Sequence, residues 1–182
     1  MAVVLMPHDP RWATRASEEA TRLRAALGAN LLEVHHIGST AIPGIEAKPI
    51  IDLMPVVQSL DLVDQSVEAI SRIGYDFFGE YGIAGRRFCT WSNPADGRRE
   101  VHVHIFASGS VHIARHLAFR DYMRQHPDEA LAYEAEKRRC RDLHAGNSMA
   151  YSQAKSAWIL GAEARAMKWY ALAHQPHQSN SH

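Results

Sequence analysis

The sequence predicts an α+β fold, with a mixed sheet built in the first two-thirds of the chain and helices alone in the final third. Three observations carry this. PIIDLMPVV is almost continuously apolar, as befits a central strand covered on both faces. GRRFCTWS and REVHVHIFA flank the turn residues NPADG, which reads as an antiparallel hairpin. From Val111 onward the apolar period is helical, over roughly 111–125, 128–144 and 148–172, punctuated by Pro127 and Gly146-Asn147.

The elements before the hairpin follow in order. DPRWATRASEEATRLRAALG reads as a helix, with Asp9 as N-cap, Pro10 in the first turn and Gly28 ending it. Its apolar stripe is Leu23, Ala26 and Leu27, opposite Arg22 and Arg24. LLEVHHI is a strand, then PIIDLMPVV a second, whose far end Pro55 weakens. Leu60, Val63, Val67 and Ile70 give residues 60 to 73 helical spacing, and YDFF forms a short strand. Trp158 and Trp169 on the last helix read as core, with an interface as the alternative. One domain over 1–172 is expected, with 173–182 a flexible tail that carries His174, His177 and His182.

Composition bounds the function. Hydrophobic residues are 46% of the 182, ample for a core, and 20 Lys+Arg balance 20 Asp+Glu. A neutral chain lacks the basic excess of a protein held to nucleic acid by its whole surface. Cys89 and Cys140 stand apart, which argues against a thiolate zinc site and suits a reducing compartment. MAVVLMPHDPRW has no basic leader and only a short apolar run, so a soluble cytoplasmic protein with no membrane partner is expected. The oligomeric state is left open.

The stretch HHIGSTAIPGIEAKPIID carries the candidate chemistry. Gly38 at a strand end lets backbone approach a ligand, and Ser39 and Thr40 offer hydroxyls and amides to phosphate oxygens. The alternative is that Ser39 or Thr40 caps a one-turn helix. Asp52 lies inside an apolar strand, where a carboxylate needs a cation, either Lys48 or an arginine, or else a metal. Strand alternation puts His102 and His104 of VHVHIF on one face, where they suit a metal, proton transfer or plain hydrogen bonding. His36 shares a face with Gly38. Lys48, Arg86, Arg87 and Arg120 offer positive charge to phosphate, or simply solvated surface, with Asp121 a local partner for Arg120. Tyr151 and Lys155, at i,i+4, need no more than a salt bridge or an exposed helix face.

VVLMPHDPRW, HHIGSTAIPGIEAKPIIDLM, VHVHIF, HLAFRDYMRQHP and AYSQAK, in that order, resemble the GrpB family, which is related to the nucleotidyltransferase superfamily. The resemblance implies a nucleotidyltransferase-like core, with C-terminal helices closing a cleft. It implies that Gly38 and Ser39 face nucleotide phosphates and that Asp52 is the first of the superfamily's paired acids. Met54 stands where the second acid belongs, and His102 and His104 where a later acid is expected. Three readings follow. The first is a metal-dependent nucleotidyltransferase in which Asp52, His102 and His104 hold the metal, Asp52 and Ser39 are catalytic, and Gly38, Ser39, Thr40, Lys48, Arg87 and Arg120 bind a nucleoside triphosphate. The second is a non-catalytic module for a nucleotide or phosphorylated small molecule, a role suggested by fusions of such domains to dephospho-CoA kinase. The third is a His/Asp metal-dependent hydrolase. The implied cofactor is a divalent metal, Mg²⁺ first, then Mn²⁺ or Zn²⁺.

Overall fold

The structure is a computed structural model describing residues 3–173. Helix α1 (Arg11–Leu27) starts beside Asp9, whose Oδ1 accepts the Arg11 N–H at 2.9 Å, and stops at Gly28 with φ 55°. Strands β1 (Leu31–Ile37) and β2 (Ile51–Val57) are separated by a one-turn 3-10 helix (Ser39–Ala41) and an irregular loop. Helices α2 (Leu60–Gln65) and α3 (Val67–Arg72) precede the strands β3 (Tyr75–Phe77), β4 (Arg86–Ser92) and β5 (Arg99–Ala107). Helices α4 (Val111–Gln125), α5 (Pro127–Leu143), α6 (Ser148–Ala154) and α7 (Ser156–Ala173) complete the described chain.

The five strands form one mixed sheet in the order β1-β2-β5-β4-β3, and only the β2–β5 pair is parallel. Strand β2 is therefore interior, as its apolar run predicts. It continues through Pro55 to Val57, and the pairs flanking the proline, Leu53 with Val103 and Val56 with Phe106, keep one register. Two expected helices are each broken once. The 60–73 segment divides at Ser66, whose φ −94° and ψ 5° leave the helical region. The 148–172 segment divides at Lys155. Helix α7 runs one residue past the expected tail boundary; the rest of that tail, with His174, His177 and His182, lies outside the described residues. No helix among the described residues is long and apolar enough to cross a membrane.

Strand alternation gives the sheet two unlike faces. One face, with Leu53, Val57, Val101, Val103 and Ile105, packs with Trp12, Leu23 and Leu27 of α1 and with Val63 and Ile70 of α2 and α3. The other face carries Asp52, Met54, His102, His104 and Phe106 toward the C-terminal helices. Those helices have a core of their own, and Ile42 and Ile45 of the loop after β1 are buried in it beside Ala118, Tyr133, Ala162 and Ala166. Trp158 and Trp169 are half-buried against the same cluster, Trp158 stacked on Tyr133. Helix α5 clamps the loop: Glu134 Oε2 accepts the Glu46 N–H at 2.6 Å, and Lys137 donates to the Glu46 carbonyl.

One backbone position fixes how close β1 and β2 approach at their working ends. Gly38, with φ 71° and ψ −171°, occupies a region essentially reserved for glycine. A Cβ there would sit 2.3 Å from Asp52 Oδ2, so the missing side chain is also the space the carboxylate occupies. Gly38→Ala is expected to cost about 2–4 kcal/mol, combining backbone strain with overlap. Urea unfolding of the variant checks this; a loss below about 1 kcal/mol would mean that neither constraint operates.

Candidate functional site

The carboxylate that Gly38 admits stands at the floor of a cavity of about 180 Å³ between the sheet and the C-terminal helices. Ser39, Lys48, Ile50, Asp52 and His102 line it from the sheet side. Lys137 of α5, Tyr151 and Ser152 of α6, and Lys155 at the α6–α7 break line it from the helices. The break has a consequence: Lys155 ends α6 and its Nζ lies over the Tyr151 ring, 4.7 Å from the centroid. Lys48 approaches the same ring at 5.7 Å and donates to Ser148 Oγ at 2.8 Å. Tyr151 is 1% exposed, so the expectation of a solvated Tyr151–Lys155 pair is corrected.

Three ammonium groups thus converge from three elements. Burial lowers the proton affinity of Lys48 and Lys155, and in Lys48 the charge of Lys155 adds to it. Lys137 is brought down to about 7, chiefly by burial and then by repulsion from Lys155. Like charges held this close lower their energy when an anion enters between them.

Asp52 does not pair with Lys48 or an arginine. Its Oδ1 lies 3.4 Å from His102 Nδ1 and 3.6 Å from His104 Nε2. Burial acts to raise its carboxyl, but the two histidines facing it outweigh that and hold it below the ordinary carboxylate range. Burial keeps His104 below its usual range as well, and so neutral. A carboxylate and a neutral imidazole are the protonation states in which such groups bind metal.

The three side chains each offer a ligand atom within 4.8 Å of the others, the one such metal-capable group among the described residues. Metal–ligand bonds of about 2.0–2.1 Å in tetrahedral geometry separate ligands by about 3.3–3.4 Å, close to the two distances above. Hydrogen bonding divides the group. Arg86 Nη1 lies 3.3 Å from His104 Nδ1, and a guanidinium can only donate. Arg86 is buried and tied to the carbonyls of Glu80 and Tyr81 at 3.2 and 2.7 Å, with Phe88 beneath it. Nδ1 of His104 is therefore the acceptor and Nε2 keeps the proton, facing Asp52. A metal-bound histidine has the opposite support, donating its second N–H to an acceptor. Asp52 and His102 fit a cation; His104, as Arg86 holds it, presents an N–H toward Asp52 and not a lone pair.

Several expected phosphate contacts lie elsewhere. Arg87 projects from the opposite face of the sheet, where both its Nε and Nη2 bond Asp64 at 2.6 and 2.7 Å. Strand alternation alone separates it from Asp52. Arg120 pairs with Asp121 at 2.7 Å and donates to the His36 carbonyl, bracing β1. Thr40 is 2% exposed, its hydroxyl shared between His36 Nε2 and the Ile50 carbonyl. Ser39 reaches the cavity, donating to Tyr133 Oη at 3.0 Å. Met54 is fully buried with Ile37 and Phe106, so the place of a second acid is filled by apolar packing. Lys137 and Ser152 were missed. A lysine in EAEKRRCR looks like any solvated charge, whereas Lys155 had a signal in AYSQAK.

Comparison with known proteins agrees with this architecture. The family model "GrpB protein" matches residues 2–165. The UPF0157 protein YqkA of Bacillus subtilis is 40% identical over 92% of this chain and 48% of its own length, so the chain spans about half of that relative. A dephospho-CoA kinase of Mycolicibacterium paratuberculosis is 31% identical over 92% of this chain and 46% of that protein. The crystal structure of GrpB from Enterococcus faecalis superposes with TM-score 0.86 at 38% identity, covering 92% of this chain and 99% of that one. The Cid1 poly(U) polymerase superposes with TM-score 0.52 at 14% identity, over 82% of this chain and 49% of that one, a likeness of fold alone. The core has a nucleotidyltransferase-like fold, and the chain belongs to the GrpB family.

Proposed function

We propose that this chain binds the phosphate chain of a nucleoside triphosphate together with a divalent cation, and that its chemistry is nucleotidyl transfer to an acceptor hydroxyl. One observation carries the reading: a single cavity joins an ionised carboxylate to Lys48, Lys137 and Lys155. An isolated cluster of buried ammonium groups is costly, and a multiply charged anion offsets that cost. Asp52 and His102 would hold the cation, which would supply Lewis-acid charge on the phosphate oxygens. A cation that takes most of its ligands from phosphate and water needs few protein groups, as Mg²⁺ does; an imidazole from His102 also suits Mn²⁺ or Zn²⁺.

The residues then divide the work by position. The lysines neutralise the chain and fix its direction across the cavity. His104, locked by Arg86, turns its Nε2 N–H toward the Asp52 carboxylate at 3.6 Å. Ser39 supplies a hydroxyl beside the same carboxylate, with Tyr133 as its anchor. Transfer forms a bond from the acceptor oxygen to the α-phosphorus and breaks the bond from that phosphorus to the α–β bridging oxygen; pyrophosphate leaves with the electron pair, and the acceptor's hydroxyl proton passes to solvent. The nucleotidyltransferase-like fold and the kinase-named relatives support a nucleotide-related role.

Met54 favours a second reading. With apolar packing where a second acid would stand, the residues suit binding without turnover, an accessory phosphate-binding module. The donor contact on His104 weighs against the third reading, a hydrolase with a His/Asp metal centre. Pyrophosphate release in the presence of acceptor pools separates transfer from binding.

Asp52→Asn should abolish the metal-dependent part of nucleotide binding and leave the circular dichroism spectrum intact. Calorimetry with ATP, GTP and CTP, with and without Mg²⁺, decides it; metal-dependent affinity surviving in the variant would remove Asp52 from the site. Lys155→Ala should weaken triphosphate binding more than monophosphate binding, and equal losses would take Lys155 away from the distal phosphates. Because Lys137 titrates at about 7, it loses charge as pH rises. Triphosphate affinity should therefore fall through neutrality relative to Lys137→Gln, which lacks that titration; parallel profiles for the two proteins would contradict this.

A further inference from the structure

We infer that the site reads the phosphate chain and leaves the nucleobase unread, so that inorganic triphosphate is as good a ligand as any nucleoside triphosphate. The inference rests on the proposed phosphate-binding role and narrows it. Size is the first observation. The cavity holds about 180 Å³. Sites that enclose a drug-sized organic ligand hold roughly 300–1,000 Å³, so a chain of phosphates fits inside and a base and sugar stay in the mouth.

The lining is the second observation. Base recognition uses an aromatic face for stacking and fixed polar groups for the base edge. The lining carries two rings: Tyr151, approached by the ammonium groups of Lys155 and Lys48 at 4.7 and 5.7 Å, and the His102 imidazole, which faces the Asp52 carboxylate and packs against Phe88. Tyr133, next to Ser39, is covered by Trp158 in near-parallel stacking, with centroids 5.3 Å apart, and by Lys137 at 4.6 Å. Both tyrosines are buried, 1% and 4% exposed, and offer no open ring face to a base. Ile50 is the only aliphatic side chain in the lining, and the rest are ammonium, hydroxyl, carboxylate and imidazole groups.

Charge pairing is the third observation. Lys48 bonds to a serine hydroxyl, and Lys137 bonds to a backbone carbonyl. Neither is neutralised by a hydrogen-bonded carboxylate, unlike Arg87 with Asp64 or Arg138 with Glu46. Their charge is directed at the cavity, and it discriminates by the number of phosphates carried, not by the base.

The test is calorimetry on the intact chain in Mg²⁺ buffer, with inorganic triphosphate, ATP, GTP, CTP, UTP, AMP and adenosine as titrants. The inference predicts that inorganic triphosphate and the four nucleotides bind within roughly threefold of one another, since no stacking energy separates them. AMP should bind at least about tenfold more weakly, and adenosine not measurably, because two phosphates' worth of charge is lost. Lys155→Ala should lower all five triphosphate affinities by one common factor. One nucleotide exceeding inorganic triphosphate by roughly tenfold or more, within the range a stacked base supplies, overturns the inference and leaves the phosphate-binding role standing. No binding by any triphosphate overturns both.

Discussion

The Asp52 carboxylate sits against the backbone of Gly38, and the rest of the site is arranged around that contact. A charged group on an interior strand of a covered sheet has to be held by partners that keep it ionised, or it takes up a proton. Here His102 and His104 come from the adjacent parallel strand at matching register, and Gly38 comes from the antiparallel neighbour on the other side. Three consecutive strands therefore converge on one carboxylate. Arg86, from a fourth strand, fixes the tautomer of His104 and so the direction in which that ring supports Asp52. None of these contacts involves a lysine, and Lys48 and Lys137 bond to a hydroxyl and a carbonyl, not to a carboxylate.

The helical third of the chain supplies that charge and is positioned by hydrophobic burial. Ile42 and Ile45, from the loop between β1 and β2, are buried in the core of the C-terminal helices. Each fully buried aliphatic side chain contributes roughly 1.5–3 kcal/mol, so this loop joins the helices to the sheet more firmly than surface ion pairs can. Glu134 and Lys137 then bind the backbone of Glu46 from both sides. Lys137 is held by the same loop that carries Lys48, and the α6–α7 break brings Lys155 opposite them. Packing, hydrogen bonding and a helix break together place three ammonium groups near one carboxylate.

Most of the fold was legible in the sequence because apolar periodicity reports it directly. LLEVHHI, the YDFF strand and the hairpin around NPADG lie where alternation and turn residues indicated, and Val111–Gln125 has the expected ends. The breaks at Ser66 and Lys155 were not legible, since helical spacing continues through both and only tertiary contacts decide the local backbone. Within the site, Asp52, Lys48, Ser39 and His102 were visible as polar residues where the pattern called for apolar ones or for a turn. Arg87 and Arg120 misled because charge alone says nothing about sheet face or partner; Asp64 and Asp121 claim them. Lys137 lay hidden in a run of charges, where only burial distinguishes a cavity lysine from a solvated one.

The most direct measurement is a crystal structure of the chain grown with Mg²⁺ and a non-hydrolysable triphosphate analogue. The account predicts phosphate oxygens within hydrogen-bond distance of Lys48, Lys137 and Lys155, a cation on Asp52, and His104 still bonded to Arg86. An analogue bound elsewhere, or a cavity left without phosphate while Asp52 stays joined only to its histidines, would contradict it.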